Sequence, residues 1–303
     1  MSQNTTKAKN MKTIYSIIFA AILLTSMVSC TSKEAQIPAY VHIPKMTLQV
    51  RNDQEGSASS KITEAWVYMD NNFLGGYPLP ATFPVLATGK HEFRIFAGVH
   101  ENGILAAPVL YPYFAPNVFS LQLSPQKIDT VSPVFSYTST TKFAFIENFE
   151  NASQLLRDDR DLNLNTKIVA STENVFEGVR SGMIALDTAN AFIEVATIDA
   201  YSGLQTQGAT QVWAELNYWS DVDVRIGLVG LDADGNTFPY YDLNLLGKKT
   251  WGKVYVNFTR PLVASQLKSY KFALRAGLPI DTNGNFTQLN GKIFIDNIKF
   301  LYF

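Results

Sequence analysis

Few residues in this sequence can do covalent chemistry, and they are not arranged to do it. The only cysteine is Cys30, and the only histidines are His42, His91 and His100, all in the first third of 303 residues. A nucleophile needs a base beside it on a shaped turn, and no G-x-S-x-G or comparable context is present. Glycoside hydrolysis needs two carboxylates facing each other across a cleft. Glu194 and Glu215 are single candidates without a closely spaced acidic partner on the same strand. The expectation is a protein that is not an enzyme.

Oxygen ligands at alternate positions, as in calcium loops, occur in Asp232-Ala233-Asp234-Gly235-Asn236 and Asp281-Thr282-Asn283-Gly284-Asn285. Neither continues to the distal Glu of an EF-hand loop, so Asp-Gly and Asn-Gly hairpin turns are expected. The remaining chemistry lies in flat rings. Trp213-Ala214-Glu215-Leu216-Asn217-Tyr218-Trp219 reads as a strand, and side-chain alternation puts Trp213, Glu215, Asn217 and Trp219 on one face. Together with Tyr240, Tyr241 and Trp251, these residues are candidates for a platform on which sugar rings stack while Glu and Asn take hydroxyls. On a covered face the tryptophans would instead be core, and Glu215 would need a buried partner.

The elements that carry these residues read as β throughout. Short alternating runs such as 46–50, 65–69 and 91–96 are separated by Gly, Pro, Asn and Asp clusters. Residues 152–159 are the best short helix candidate. The composition, 47% hydrophobic and 17% charged with net charge -1, suits two globular domains and gives no electrostatic case for nucleic acid. The expected class is all-β, a small β-sandwich over residues 40–137 followed by a second sandwich over 141–303.

Ahead of these lies a secretion signal. Lys7, Lys9 and Lys12 precede an apolar run over 14–24 that is too short to span a bilayer, and Leu24-Thr25-Ser26-Met27-Val28-Ser29-Cys30 follows. This stretch resembles a lipobox, with Met27 where Leu is usual. The resemblance implies cleavage after residue 29, acylation of Cys30, and a tether over residues 30–39 that anchors the chain in a lipid bilayer. Thr31 next to Cys30, where Asp would imply inner-membrane retention, favours the outer membrane. Lys33-Glu34 is at best a trace of the surface-export signal of Bacteroidota lipoproteins, so the leaflet stays open.

Two further resemblances concern the domains. The strand, Asp70-Asn71-Asn72 turn, Gly75-Gly76-Tyr77-Pro78 step and Thr88-Gly89-Lys90-His91 hairpin resemble PEGA-type envelope modules, and the first half looks like that of Bacteroidota lipoproteins. In the second half, Phe149-Glu150, Gly178-Val179-Arg180-Ser181-Gly182 and the terminal Phe294-Ile295-Asp296-Asn297-Ile298 resemble jelly rolls of the galactose-binding and carbohydrate-binding type. That resemblance implies a structural calcium joining Glu150 to Asp296. Backbone donors between the two carboxylates, or strand ends in water, are the alternatives. The function expected first is a binding or scaffolding subunit of an outer-membrane protein assembly, and second a glycan-binding lipoprotein.

Overall fold

The computed structural model describes residues 36–204 and 211–303; Cys30 and the stretch expected to be a secretion signal lie outside the described residues. The fold is all-β. In the first module, Asn72–Pro78, Glu64–Met69, Gly89–His100 and Pro108–Leu110 form a sheet that Asn117–Leu123 joins through Gly89–His100. Ala81–Val85, Ala39–Ile43 and Ile128–Thr130 form a second sheet. The turn between the strands Glu64–Met69 and Asn72–Pro78 places Asp70 and Asn71 at φ 48° and 65°, the left-handed geometry that a tight hairpin requires.

The second module is a sandwich of two antiparallel sheets. One runs Val169–Ser171, Ser181–Asp187, Asn290–Tyr302, Val212–Ser220, Lys248–Asn257, with Lys142–Glu147 also paired to Asn290–Tyr302. The other runs Leu156–Asp159, Phe192–Thr197, Ser269–Gly277, Val224–Leu231, Thr237–Leu245, with Tyr201–Ser202 paired to Ser269–Gly277. Their inner faces meet in a core that includes Ile193, Leu216, Leu228, Val254, Phe272, Leu274, Ile295 and Phe300.

The helix expected over 152–159 is not formed. Leu156–Asp159 is an edge strand: Leu156 is fully buried and pairs with Thr197, and the Leu155 N–H donates to Glu147. Burying Leu156 in the sandwich outweighs a weak local preference for helix. The α-helix among the described residues is Thr259–Ser265.

The two sheets of the second module differ in what lies outside them. The first module packs on the sheet containing Val212–Ser220, which is called here the covered sheet, and the other is the open sheet. Trp213, Tyr255 and Leu301 of the covered sheet belong to the same apolar core as Val41, Val99, Tyr111, Phe114 and Phe135 of the first module. The loop after Gly89–His100 also caps the edge strand Lys248–Asn257, with Asn102 N–H donating to the Tyr255 carbonyl at 2.8 Å and Asn102 Oδ1 accepting from Asn257 N–H at 2.9 Å. Such capping occupies backbone groups that an edge strand would otherwise present to another chain.

Candidate functional site

Alternation places Trp213, Glu215, Asn217 and Trp219 on one face as expected, but the first module covers that face. Trp213 is 2% exposed and meets Tyr111 edge-on at 5.5 Å, while its indole N–H donates to Gln211. Glu215 is fully buried and accepts the Tyr111 and Tyr137 hydroxyls at 2.7 and 2.8 Å. Its other oxygen lies 2.9 Å from Lys253 Nζ. Asn217 accepts from the Ser59 hydroxyl. Trp219 is half-buried against Phe294 at 5.4 Å. Trp251 packs on Phe176 and donates to Asn174. A platform made of Trp213, Glu215 and Asn217 is therefore excluded by burial, and Glu215 has the buried partner that a covered face demands.

The charges at this junction are held together. Lys299, fully buried, donates to the Ser57 carbonyl at 2.6 Å and the Tyr137 hydroxyl at 2.9 Å. Burial alone would raise the Glu215 carboxyl, but Lys253 and then Lys299 outweigh it and hold it below the ordinary range. Lys299 is pushed down to about 8 by burial, against the pull of Glu215.

Glu150, in the loop after Lys142–Glu147, and Asp296, on Asn290–Tyr302, both contact the loop 176–180. Glu150 accepts from the Val179 and Arg180 N–H groups at 2.7 and 2.9 Å, and Asp296 from Glu177 and Asn297 N–H at 3.1 and 2.8 Å. Gly178 has φ +76°, and a Cβ there would fall 2.3 Å from the Glu150 carboxylate, so glycine is required for this close approach. Burial pushes Asp296 up to about 7, and the neighbouring Glu177 carboxylate adds to the shift. A calcium ion takes about six to eight oxygen ligands. Among the described residues no group of three or more His, Cys, Asp or Glu side chains is placed to hold a metal. Backbone donors of the loop 176–180 link Glu150 to the strand that carries Asp296.

The turns at Asp232 and Asp281 are closed by their own side chains. Asp232 accepts from Asp234 and Asn236 N–H, and Asp281 from Asn283 and Asn285 N–H. The histidines have local partners: His42 with Thr82, His91 with Asp70 and His100 with Glu64.

The open sheet turns its outer face away from the first module, and that face carries the candidate site. Ile193, Val195, Leu274, Phe272, Val224 and Ile226 point into the core. The alternate positions therefore face outward. Register aligns Glu194, Arg275, Arg225 and Asn244 as a row across four strands. Ala196, Ala273 and Gly227 form the next row and make a low floor, and Phe192, 45% exposed, stands opposite Gly277.

Tyr241 lies in a bulge of the edge strand and leans across this floor. A Cβ on Gly227 would fall 2.5 Å from the Tyr241 ring, so the glycine makes the room. The Arg275 guanidinium stacks 4.3 Å from the ring centroid. Burial raises the Tyr241 phenol above its ordinary range, and the Glu194 charge adds to this. Tyr240, next in sequence, points elsewhere and lines a cleft of about 650 Å³ at the junction with Glu101, Asn102 and Arg260.

At one end the groove is bridged by the protein itself. Lys271 donates to Asp158 at 2.8 Å, and Arg160 lies 3.6 Å from both Asp158 and Glu194 and reaches Thr237 Oγ1 at 3.3 Å. Arg160, just past the edge strand Leu156–Asp159, thus reaches Thr237 on the opposite edge strand, as a concave face allows. The Tyr241 hydroxyl and Arg160 Nε are buried there beside Glu194. At the other end Phe192, Arg225, Arg275, Asn244 and Gln288 line an open cleft of about 530 Å³.

Of these groove residues the sequence singled out only Glu194, as a lone carboxylate, and Tyr241. A signal for the others existed: in Phe192-Ile193-Glu194-Val195-Ala196 and Lys271-Phe272-Ala273-Leu274-Arg275, charged and small residues alternate with aliphatic and aromatic core residues.

Comparison with known proteins finds similar folds. The chain is similar to the CBM22-1 xylan-binding domain of Xyn10C from Paenibacillus barcinonensis, at 12% identity and a TM-score of 0.36, over 55% of this chain and 97% of that one. It is similar to the C-terminal family 22 carbohydrate-binding module of Clostridium thermocellum Xyn10B at 13% identity and a TM-score of 0.36, over the same shares. A carbohydrate-binding module of the β-sandwich superfamily aligns with 88% of this chain at 12% identity and a TM-score of 0.34. No protein-family model and no curated protein sequence matches the chain.

Proposed function

We propose that this protein binds glycans in the groove of the open sheet. The observation that carries this reading is the polar row Glu194, Arg275, Arg225 and Asn244, flanked on one uncovered concave face by the rings of Phe192 and Tyr241. The exposed Phe192 ring offers a face for sugar C–H groups, and a fixed row of planar donors and acceptors suits hydroxyls that recur along a chain. That glycans are bound by the solved modules named above agrees with this reading.

The test is a glycan array followed by calorimetry. Phe192 is exposed enough that Phe192→Ala leaves melting unchanged, and it is expected to weaken binding by about 2 kcal/mol, roughly thirty-fold. Binding that is unaffected by Phe192→Ala and by Tyr241→Ala would remove the groove from consideration.

The protein is further proposed to act as a lipoprotein, with acylated Cys30 anchoring it in the outer membrane ahead of a PEGA-like spacer module. Several acyl chains on one residue make a stable anchor, at roughly 0.8 kcal/mol per buried methylene. Cys30→Ala is expected to move the protein from the detergent phase to the aqueous phase. A Cys30→Ala protein that remains acylated and membrane-bound would contradict the anchor. Docking onto an outer-membrane protein assembly would call for a contiguous apolar patch. The most exposed leucines, Leu105, Leu162 and Leu164, stand on loops of different modules.

A further inference from the structure

Two neighbours in the polar row are both cations. Arg225 and Arg275 stand directly opposite each other on adjacent antiparallel strands, an arrangement that costs stability. The carboxylates nearby are engaged elsewhere. Asp221 lies 3.0 Å from Lys249 Nζ and accepts from Lys292 N–H, while Asp223 accepts from Asn244 Nδ2 and Gly247 N–H, each at 2.9 Å. Glu194 turns to Arg160. Among the described residues neither Arg225 nor Arg275 is ion-paired.

The Arg275 guanidinium carbon lies 4.3 Å from the Tyr241 ring centroid, and a guanidinium that contacts a ring through its face keeps its in-plane N–H groups available as a fork. Arg225 is exposed beside it in the cleft of about 530 Å³. Two planar forks in one cleft match a planar anion better than a neutral hydroxyl. We infer that Arg225 and Arg275 together bind the carboxylate of an acidic sugar, so that the ligand of the open sheet is a glycan bearing uronic acid. This rests on the glycan-binding reading and narrows its substrate class.

The experiment measures binding of the full-length protein in mild detergent to polygalacturonate, alginate and glucuronoxylan, each beside its carboxyl-reduced form, with dextran sulfate as a polyanion without carboxylates. At least one uronate polymer is expected to bind about ten-fold or more tightly than its reduced form. Arg225→Gln and Arg275→Gln are each expected to abolish that preference. Arg275 also supports Tyr241, so Arg225→Gln is the decisive variant; its melting temperature should be unchanged or raised, because a like-charge contact is relieved. A preference that survives Arg225→Gln, equal binding of acidic and reduced polymers, or equally tight binding of dextran sulfate would overturn the inference. Equal binding of acidic and reduced polymers that is lost in Phe192→Ala would leave the glycan reading standing and remove only the uronate. Absence of binding to any polymer would remove both.

Discussion

Glu215→Gln is expected to destabilise the protein by about 3–5 kcal/mol, a fall in melting temperature of roughly 10 °C. The carboxylate is fully buried between the modules, where it accepts two tyrosine hydroxyls and pairs with Lys253. Lys299 reaches it through Tyr137. Glutamine leaves two ammonium groups out of water with no opposing charge at this point. Replacing the set together, as in a Glu215→Gln, Lys253→Gln, Lys299→Met triple variant, removes the ions along with their desolvation and is expected to recover most of the loss. The single variant should also separate one calorimetric transition into two, since the junction is what couples the modules. A loss below about 1 kcal/mol would mean that water reaches these groups, as it does in an exposed pair.

Trp213→Ala is expected to cost about 3–5 kcal/mol while leaving glycan affinity unchanged. The indole is 2% exposed, packs edge-on to Tyr111 and shares the apolar core of the first module. It also stands on the opposite side of the sandwich from the groove. Thermal melting read beside calorimetry checks both halves of this expectation. A variant that melts like the native protein but loses binding would put the ligand on the covered sheet, against the burial found there.

The strand pattern was legible because period-two alternation with one apolar face is a local property. It correctly grouped Trp213, Glu215, Asn217 and Trp219, yet alternation says only which residues share a face. What covers the face is decided by Tyr111 and Tyr137, which stand 104 and 78 residues from Glu215 in sequence. The same limit hid the open groove, whose row draws Glu194, Arg225, Asn244 and Arg275 from four strands that register alone brings together. Residues 152–159 were misread as a helix because an edge strand with one bulge carries too short an alternation to register. Glu150 and Asp296 each accept from the loop 176–180, whose backbone donors have no side-chain signature.

The most direct measurement of the central claim is a crystal structure of the protein with the oligosaccharide selected on the array. A sugar ring is expected against Phe192, with hydroxyl or carboxylate oxygens on Arg275 and Arg225. A sugar seated instead in the cleft lined by Tyr240, Asp242 and Arg260, or on the side of the covered sheet near Trp219 and Trp251, would contradict it.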